Sequence, residues 1–151
     1  MKSEAEWIYC ALFVSSRELD AAAARIRTGT LCRRIGRPHV TLAFRPAEFH
    51  AELLGTRASL LVRGYGSDGQ NEGLLVTIET EDKTLRALAA AVERPHITLS
   101  VGPKGRPVDT ARICFRPVTP FRLAARYGIF CADGRVLFSA QRAVPAVAVI
   151  R

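Results

Sequence analysis

Two histidines and two threonines of this chain sit in two nearly identical six-residue stretches. Arg37-Pro38-His39-Val40-Thr41-Leu42 and Arg94-Pro95-His96-Ile97-Thr98-Leu99 differ only by a Val/Ile exchange. The histidines lie 57 residues apart, at positions 39 and 96, one in each half of the 151-residue sequence. Along a strand alternate side chains share a face, so His39 and Thr41 point one way and Val40, Leu42 and Phe44 the other. His96 and Thr98 likewise oppose Ile97, Leu99 and Val101. Within each pair the polar side chains stand about 6–7 Å apart. Two imidazoles and two hydroxyls suit the hydrolysis of a phosphodiester. One imidazole takes a proton from water and the other protonates the departing oxygen, both near neutral pH. Threonine hydroxyls donate to nonbridging phosphoryl oxygens as charge builds on them. The scheme needs no metal and no cofactor. One His-x-Thr alone is a weak signal and reads as an ordinary strand. Two copies, each on an alternating pattern, are a stronger one. A zinc site is the rival for the same histidines. It needs a third ligand, from His50 or a cysteine, and threonine is not a usual zinc ligand.

The elements that must position these side chains follow from periodicity. Trp7 to Val14 is an unbroken apolar run, long enough for a strand buried on both faces. Ser15, three residues before Glu18, has the capping-box spacing, and Leu19, Ala22, Ala23 and Ile26 mark one face of a helix. Val40 to Phe44 reads as a strand and Ala47 to Leu54 as a short helix. Ala58 to Tyr65 and Leu74 to Ile78 read as a hairpin across the Gly-rich stretch Gly66 to Gly73. Leu85, Leu88, Ala89 and Val92 form a second helical stripe, and Ile97 to Val101 a further strand. Gly102 to Asp109 reads as a loop. Phe121 to Phe130 and Arg135 to Phe138 form a last hairpin. This order predicts an α+β domain with antiparallel sheets and one helix in each half. The apolar face of each motif strand packs on its own helix, which leaves the polar faces to line a shared cleft.

Composition bounds the partners. Lys plus Arg number 22 against 14 Asp plus Glu, a net charge of +8 and a pI near 10.0. Such an excess suits a polyanion. All but three of the basic residues are arginine, which a GC-rich genome would also produce, so charge alone does not choose. No apolar run approaches a membrane span, and Met1 to Glu6 does not open a secretory signal. Cys10, Cys32, Cys114 and Cys131 form no Cys-x-x-Cys pair. They read as buried free thiols in a reducing cytoplasm.

Paired Pro-His-x-Thr-Leu motifs on strands of two similar halves resemble the two-histidine (2H) phosphoesterase superfamily. The resemblance runs from about Trp7 to Phe138. Within the superfamily the chain looks most like the cyclic phosphodiesterase domain of fungal and plant tRNA ligases and their bacterial relatives. It implies one bilobal, pseudo-symmetric domain over residues 1–151, with antiparallel sheets lining a central cleft and helices outside. It also implies hydrolysis of 2′,3′-cyclic phosphates on RNA ends or nucleotides, leaving a 2′-phosphate, by a monomer. His39 and His96 would be the acid–base pair, and Thr41 and Thr98 the phosphate ligands. Candidate RNA contacts are Arg37, Arg94, Lys104, Arg106 and Tyr127, with Trp7 or Tyr127 to stack on a base; the rival readings are a solvated strand entry for Arg37 and Arg94 and core packing for the two rings, which sit in apolar runs. Asp68 and Glu72 have no partner legible in the sequence. Other phosphodiesters remain alternatives: ADP-ribose 1″,2″-cyclic phosphate, a 2′-5′ linkage or a cyclic oligonucleotide. So does an RNA-binding module without catalysis.

Overall fold

The computed structural model describes residues 6–139. The expected domain over residues 1–151 extends past these at both ends, and Met1 to Ala5 lie outside the described residues. The chain runs β1 (Trp7–Val14), α1 (Ser16–Ala23), β2 (Arg33–Arg34), β3 (His39–Phe44), β4 (Arg57–Ser67) and β5 (Asn71–Glu79). It continues through α2 (Lys83–Ala90), β6 (His96–Val101), β7 (Arg116–Cys131) and β8 (Val136–Leu137). Among the described residues every strand pairing is antiparallel. The strands form one sheet ordered β2-β6-β5-β4-β7-β1-β3, with β8 on β7. The fold is therefore α+β, as the periodicity predicts. Its strands build a single continuous sheet where the sequence pattern predicts separate ones.

The two faces of that sheet have different work. Cys10, Leu12, Val40, Leu60, Val62, Leu74, Val76, Ile97, Leu123, Tyr127 and Ile129 share one face and form the buried core with Leu19 and Ala23 of α1 and Leu85 of α2. Each large aliphatic side chain buried there stabilises the fold by about 1.5–3 kcal/mol. Both helices start at a side-chain cap. Ser15 Oγ accepts from the Glu18 N–H at 3.2 Å, and the Asp82 carboxylate accepts from the Leu85 N–H at 2.9 Å. Contrary to expectation, the helices do not simply cover the motif strands. α1 lies against β7, and α2 against β5.

Three local readings change. The segment Ala47 to Leu54 holds only a 3-10 turn at Ala51–Leu53, and the loop after β6 ends in another at Pro107–Arg112. The Gly-rich stretch Gly66 to Gly73 is mostly strand, and its turn is confined to residues 68–70. Asp68 holds that turn by accepting from the N–H groups of Gln70 (2.9 Å) and Asn71 (2.8 Å). Gly73 is there for space. A Cβ at that position would stand 2.3 Å from Thr110 Cγ2, so only glycine lets the 107–112 turn lie on the sheet. Two of the four free cysteines, Cys10 and Cys131, are buried; Cys32 and Cys114 are exposed. No helix among the described residues is long and apolar enough to cross a membrane.

The segment between α1 and β3 crosses to the far half of the sheet. Arg33 and Arg34 pair with Val101 and Ser100 of β6, and the Ile35 N–H donates to Leu99 O at 3.0 Å. This strap leads directly into His39, and it brings β3 alongside β6 although the two lie near opposite ends of the strand order.

Candidate active site

His39, Thr41, His96 and Thr98 line one cavity of about 410 Å³. The volume lies within the range of small-molecule sites. The expected shared cleft between the two motifs is present at this level of geometry. The two strands reach it in the same way. His39 Nδ1 lies 2.7 Å from Arg37 O, and His96 Nδ1 lies 3.0 Å from Arg94 O. A carbonyl only accepts, so each Nδ1 carries the proton and each neutral ring leaves Nε2 with its lone pair. Val14 N–H donates to Pro38 O, and Val76 N–H donates to Pro95 O, both at 3.1 Å. The ladder also slips at the same place in both copies. Ala11 pairs with Thr41 and Cys10 with Ala43, so Leu42 is the extra residue. Gly73 pairs with Thr98 and Glu72 with Ser100, so Leu99 is the extra residue.

The bulge at Leu42 corrects one reading. Strict alternation sets Phe44 opposite to His39. After the slip it pairs with Tyr9 and joins the cavity wall. It is 65% exposed there, as is Val108 on the other side of the cavity. Tyr9 is the residue that sequence reasoning missed. It stacks on the His39 ring with centroids 5.1 Å apart and on Phe130 at 4.9 Å. Its signal was available: Tyr9, Ala11 and Phe13 alternate on the face of β1 that meets His39. The uniform apolar character of the run hid the alternation.

Electrostatics follow from burial. Desolvation holds the His39 imidazole below its ordinary range; the carbonyl of Arg37 opposes this and the charge of His96 adds to it. Desolvation also lowers His96, opposed by the Arg94 carbonyl and helped by the Arg94 charge. Tyr9 is pushed up to about 12 by desolvation, against the pull of Arg37. It stays a neutral phenol through the working range of the histidines.

The two threonines are not equivalent. Thr41 is exposed, and its hydroxyl has no protein partner among the described residues. Thr98 is 8% exposed, and its hydroxyl bonds to Pro107 O at 3.1 Å and Thr110 Oγ1 at 2.8 Å. It has a single proton, for which those two acceptors compete with any phosphoryl oxygen. Thr41→Val should therefore lower kcat/KM on a phosphodiester substrate by about 10-fold or more while leaving the unfolding midpoint in place. Thr98→Val should in addition cost about 1–3 kcal/mol of stability, because Pro107 and Thr110 lose a buried partner. Urea unfolding beside steady-state kinetics separates the two; equal unfolding midpoints would contradict the asymmetry.

The remaining candidates scatter. Arg37 is exposed and lines a second, larger pocket. Arg94 donates to Ala111 O (2.9 Å) and Ile113 O (3.3 Å) and lies over the Phe115 ring, so it pins the 107–115 segment. Arg106 pairs with Asp109, and Lys104 is exposed with its backbone N–H on Gln70. Tyr127 corrects its expectation. It is fully buried, donates its hydroxyl proton to Phe49 O, and has no face for a base. Trp7 packs edge-on against Phe49. His50 lies with Glu48 and Glu52 in an exposed cluster and does not line the cavity. Cys10 lies on the core face. The cavity itself thus offers a zinc ion only two imidazoles, one short of the three protein ligands of a catalytic site.

No family model matches the chain, and no curated protein matches its sequence.

Proposed function

We propose that this protein is a metal-independent phosphodiesterase that opens 2′,3′-cyclic phosphates of RNA ends or nucleotides, built as a 2H phosphoesterase with two related halves. One observation carries the reading. Two copies of one motif deliver two imidazoles, each oriented by the carbonyl two residues upstream, into a single cavity with an unengaged threonine hydroxyl. The matched backbone bonds and bulges of β1-α1-β3 and β5-α2-β6 support treating the halves as equivalents.

In the reaction, one Nε2 removes a proton from water as its oxygen attacks phosphorus. The other Nε2, protonated, gives its proton to the ribose oxygen as the P–O bond breaks. With the 3′-oxygen leaving, the product is a 2′-phosphate. Thr41 donates to a nonbridging oxygen; Thr98 does so when its proton leaves Pro107 and Thr110. The mostly apolar wall of Tyr9, Phe44 and Val108 admits the nucleoside and limits water.

Phosphorus NMR of a 2′,3′-cyclic nucleotide incubated with the protein in EDTA tests the reaction and reads 2′- against 3′-phosphate. No turnover of cyclic nucleotides or cyclic RNA ends would defeat the reading. The pH dependence has a definite sign. The base must be neutral and the acid protonated, and both free imidazoles are held below their usual range. The optimum of kcat/KM should therefore fall below about pH 6.5, with activity lost as rising pH deprotonates the acid. A bound phosphate anion raises both values, so the kcat profile should lie at higher pH. An optimum of kcat/KM well above 7 would contradict this.

A further inference from the structure

A row of side chains leads away from His39 across four neighbouring strands. His39 pairs with Phe13, Phe13 with Arg126, and Arg126 with Arg57. Cross-strand partners share a face, so all four stand on the cleft side of the sheet. Strand spacing puts Arg126 about 10 Å and Arg57 about 14 Å from His39 along this row. Phe13 is the spacer, with its ring 5.2 Å from that of His39. Beyond it opens a pocket of about 930 Å³, walled by Arg37, Arg57, Arg122 and Arg126 with Phe13 and Phe138. It is the larger of the two and shares no lining residue with the cavity of the histidines.

Four guanidiniums around one pocket repel one another, so their arrangement calls for an anion. Arg122 is paired with Glu79 at 2.8 Å. Arg37, Arg57 and Arg126 have no carboxylate partner among the described residues. Arg126 is held in place instead by the Phe138 ring, 4.1 Å below its guanidinium. Phe138 reaches that position because residue 128 is glycine: a Cβ there would stand 2.7 Å from Phe138 Cε1. The N-terminus of α1, at Ser15 and Ser16, also faces the pocket and favours negative charge; among the described residues Glu18 is the one carboxylate on its wall.

We infer that this pocket holds the phosphates on the 5′ side of the reacting end, and that the substrate is a single-stranded oligonucleotide and not a free cyclic mononucleotide. The inference rests on the phosphodiesterase reading and adds the substrate class to it. The row supplies the order: imidazole at the cyclic phosphate, the Phe13 ring as spacer, then guanidiniums for the phosphates that follow. The arginine fork suits phosphate oxygens better than a lysine would.

The test compares kcat/KM for 2′,3′-cyclic AMP and for an RNA trinucleotide ending in a 2′,3′-cyclic phosphate. The trinucleotide should be preferred by about 10–100-fold, the effect of one or two charge-assisted hydrogen bonds to phosphate. In the Arg57→Ala/Arg126→Ala double variant that ratio should collapse toward one. The salt slope of log KM for the trinucleotide should fall by about 0.7 for each phosphate left without its arginine. Replacement of both by lysine should restore most of the slope. Turnover of both substrates with a ratio near one in the parent protein overturns the inference and leaves the phosphodiesterase reading standing. Should neither substrate turn over, that reading fails, and fluorescence anisotropy with a labelled, 3′-phosphorylated trinucleotide decides the pocket. Arginine-dependent binding supports it, and equal binding by parent and double variant overturns it.

Discussion

His39→Ala and His96→Ala are each expected to lower kcat on a 2′,3′-cyclic phosphate by about 10²–10⁴-fold, the usual worth of a positioned acid or base. The double variant should be little slower than the worse single one, because the two rings act in one step and their effects do not add. The geometry makes this a clean experiment. Each ring makes one hydrogen bond, from Nδ1 to a carbonyl at the strand entry, and His39 also packs on the Tyr9 and Phe13 rings. Removal of either ring should leave the sheet pairing of β3 and β6 intact. Unfolding midpoints of the variants verify that. An asparagine in place of either histidine keeps an N–H for the carbonyl but has no group that titrates near neutrality. It should be as slow as alanine. A fall of less than about tenfold in either alanine variant would remove that histidine from the acid–base pair.

Glu72→Ala should destabilise the fold by about 3–5 kcal/mol, the cost of removing one partner of a buried ion pair. Glu72 is completely buried. Its carboxylate accepts from Arg27 Nε (2.8 Å) and Nη2 (2.6 Å), from the Tyr65 hydroxyl (2.8 Å) and from Ser100 Oγ (2.6 Å). All four donors lie outside its immediate neighbourhood in sequence. Removal of the carboxylate strands the Arg27 guanidinium, whose side chain is only 12% exposed, and leaves Tyr65 without that acceptor. In a chain of this length the destabilisation corresponds to roughly 6–20 °C in Tm. Glu72→Gln keeps two acceptor lone pairs but not the charge, and should fall between. The consequence reaches the site. Ser100 also accepts from the Leu31 N–H at 2.9 Å, so the network fastens the strap that carries β3 to β6. The variants should therefore lose kcat even at temperatures where they remain folded. Urea unfolding and kinetics at low temperature check both parts. A Tm within about 2 °C of the parent would show that the pair does not hold the strap.

Legibility differs between kinds of residue. The motif strands are legible because a period of two is written into the sequence itself, and both helices because their stripes and one cap are. The Gly-rich stretch from Gly66 to Gly73 misleads because glycine has two uses. Turn formation is local and is what a sequence displays. Close approach of a distant segment, here Thr110 over Gly73, is not. Alternation puts Phe44 on the wrong face because a bulge is a property of the strand pair. Nothing between His39 and Phe44 announces that β1 will skip Leu42. Tyr127 reads both as a stacking residue and as a core residue because an aromatic ring inside an apolar run has no mark for inside or outside.

The sequence by itself determined the chemistry on offer. It holds two imidazoles and two hydroxyls at strand spacing, an α+β order of elements, and a basic surplus. These rest on neighbours in the chain, whose relative positions the backbone fixes at once. Only the tertiary structure decided how the pieces meet. It made one sheet of the strands, carried β3 to β6 along a strap held by Glu72, and engaged Thr98 while leaving Thr41 open. It also set Arg57 and Arg126 in line with His39. Those outcomes depend on register and burial between residues tens of positions apart, and no local pattern encodes them.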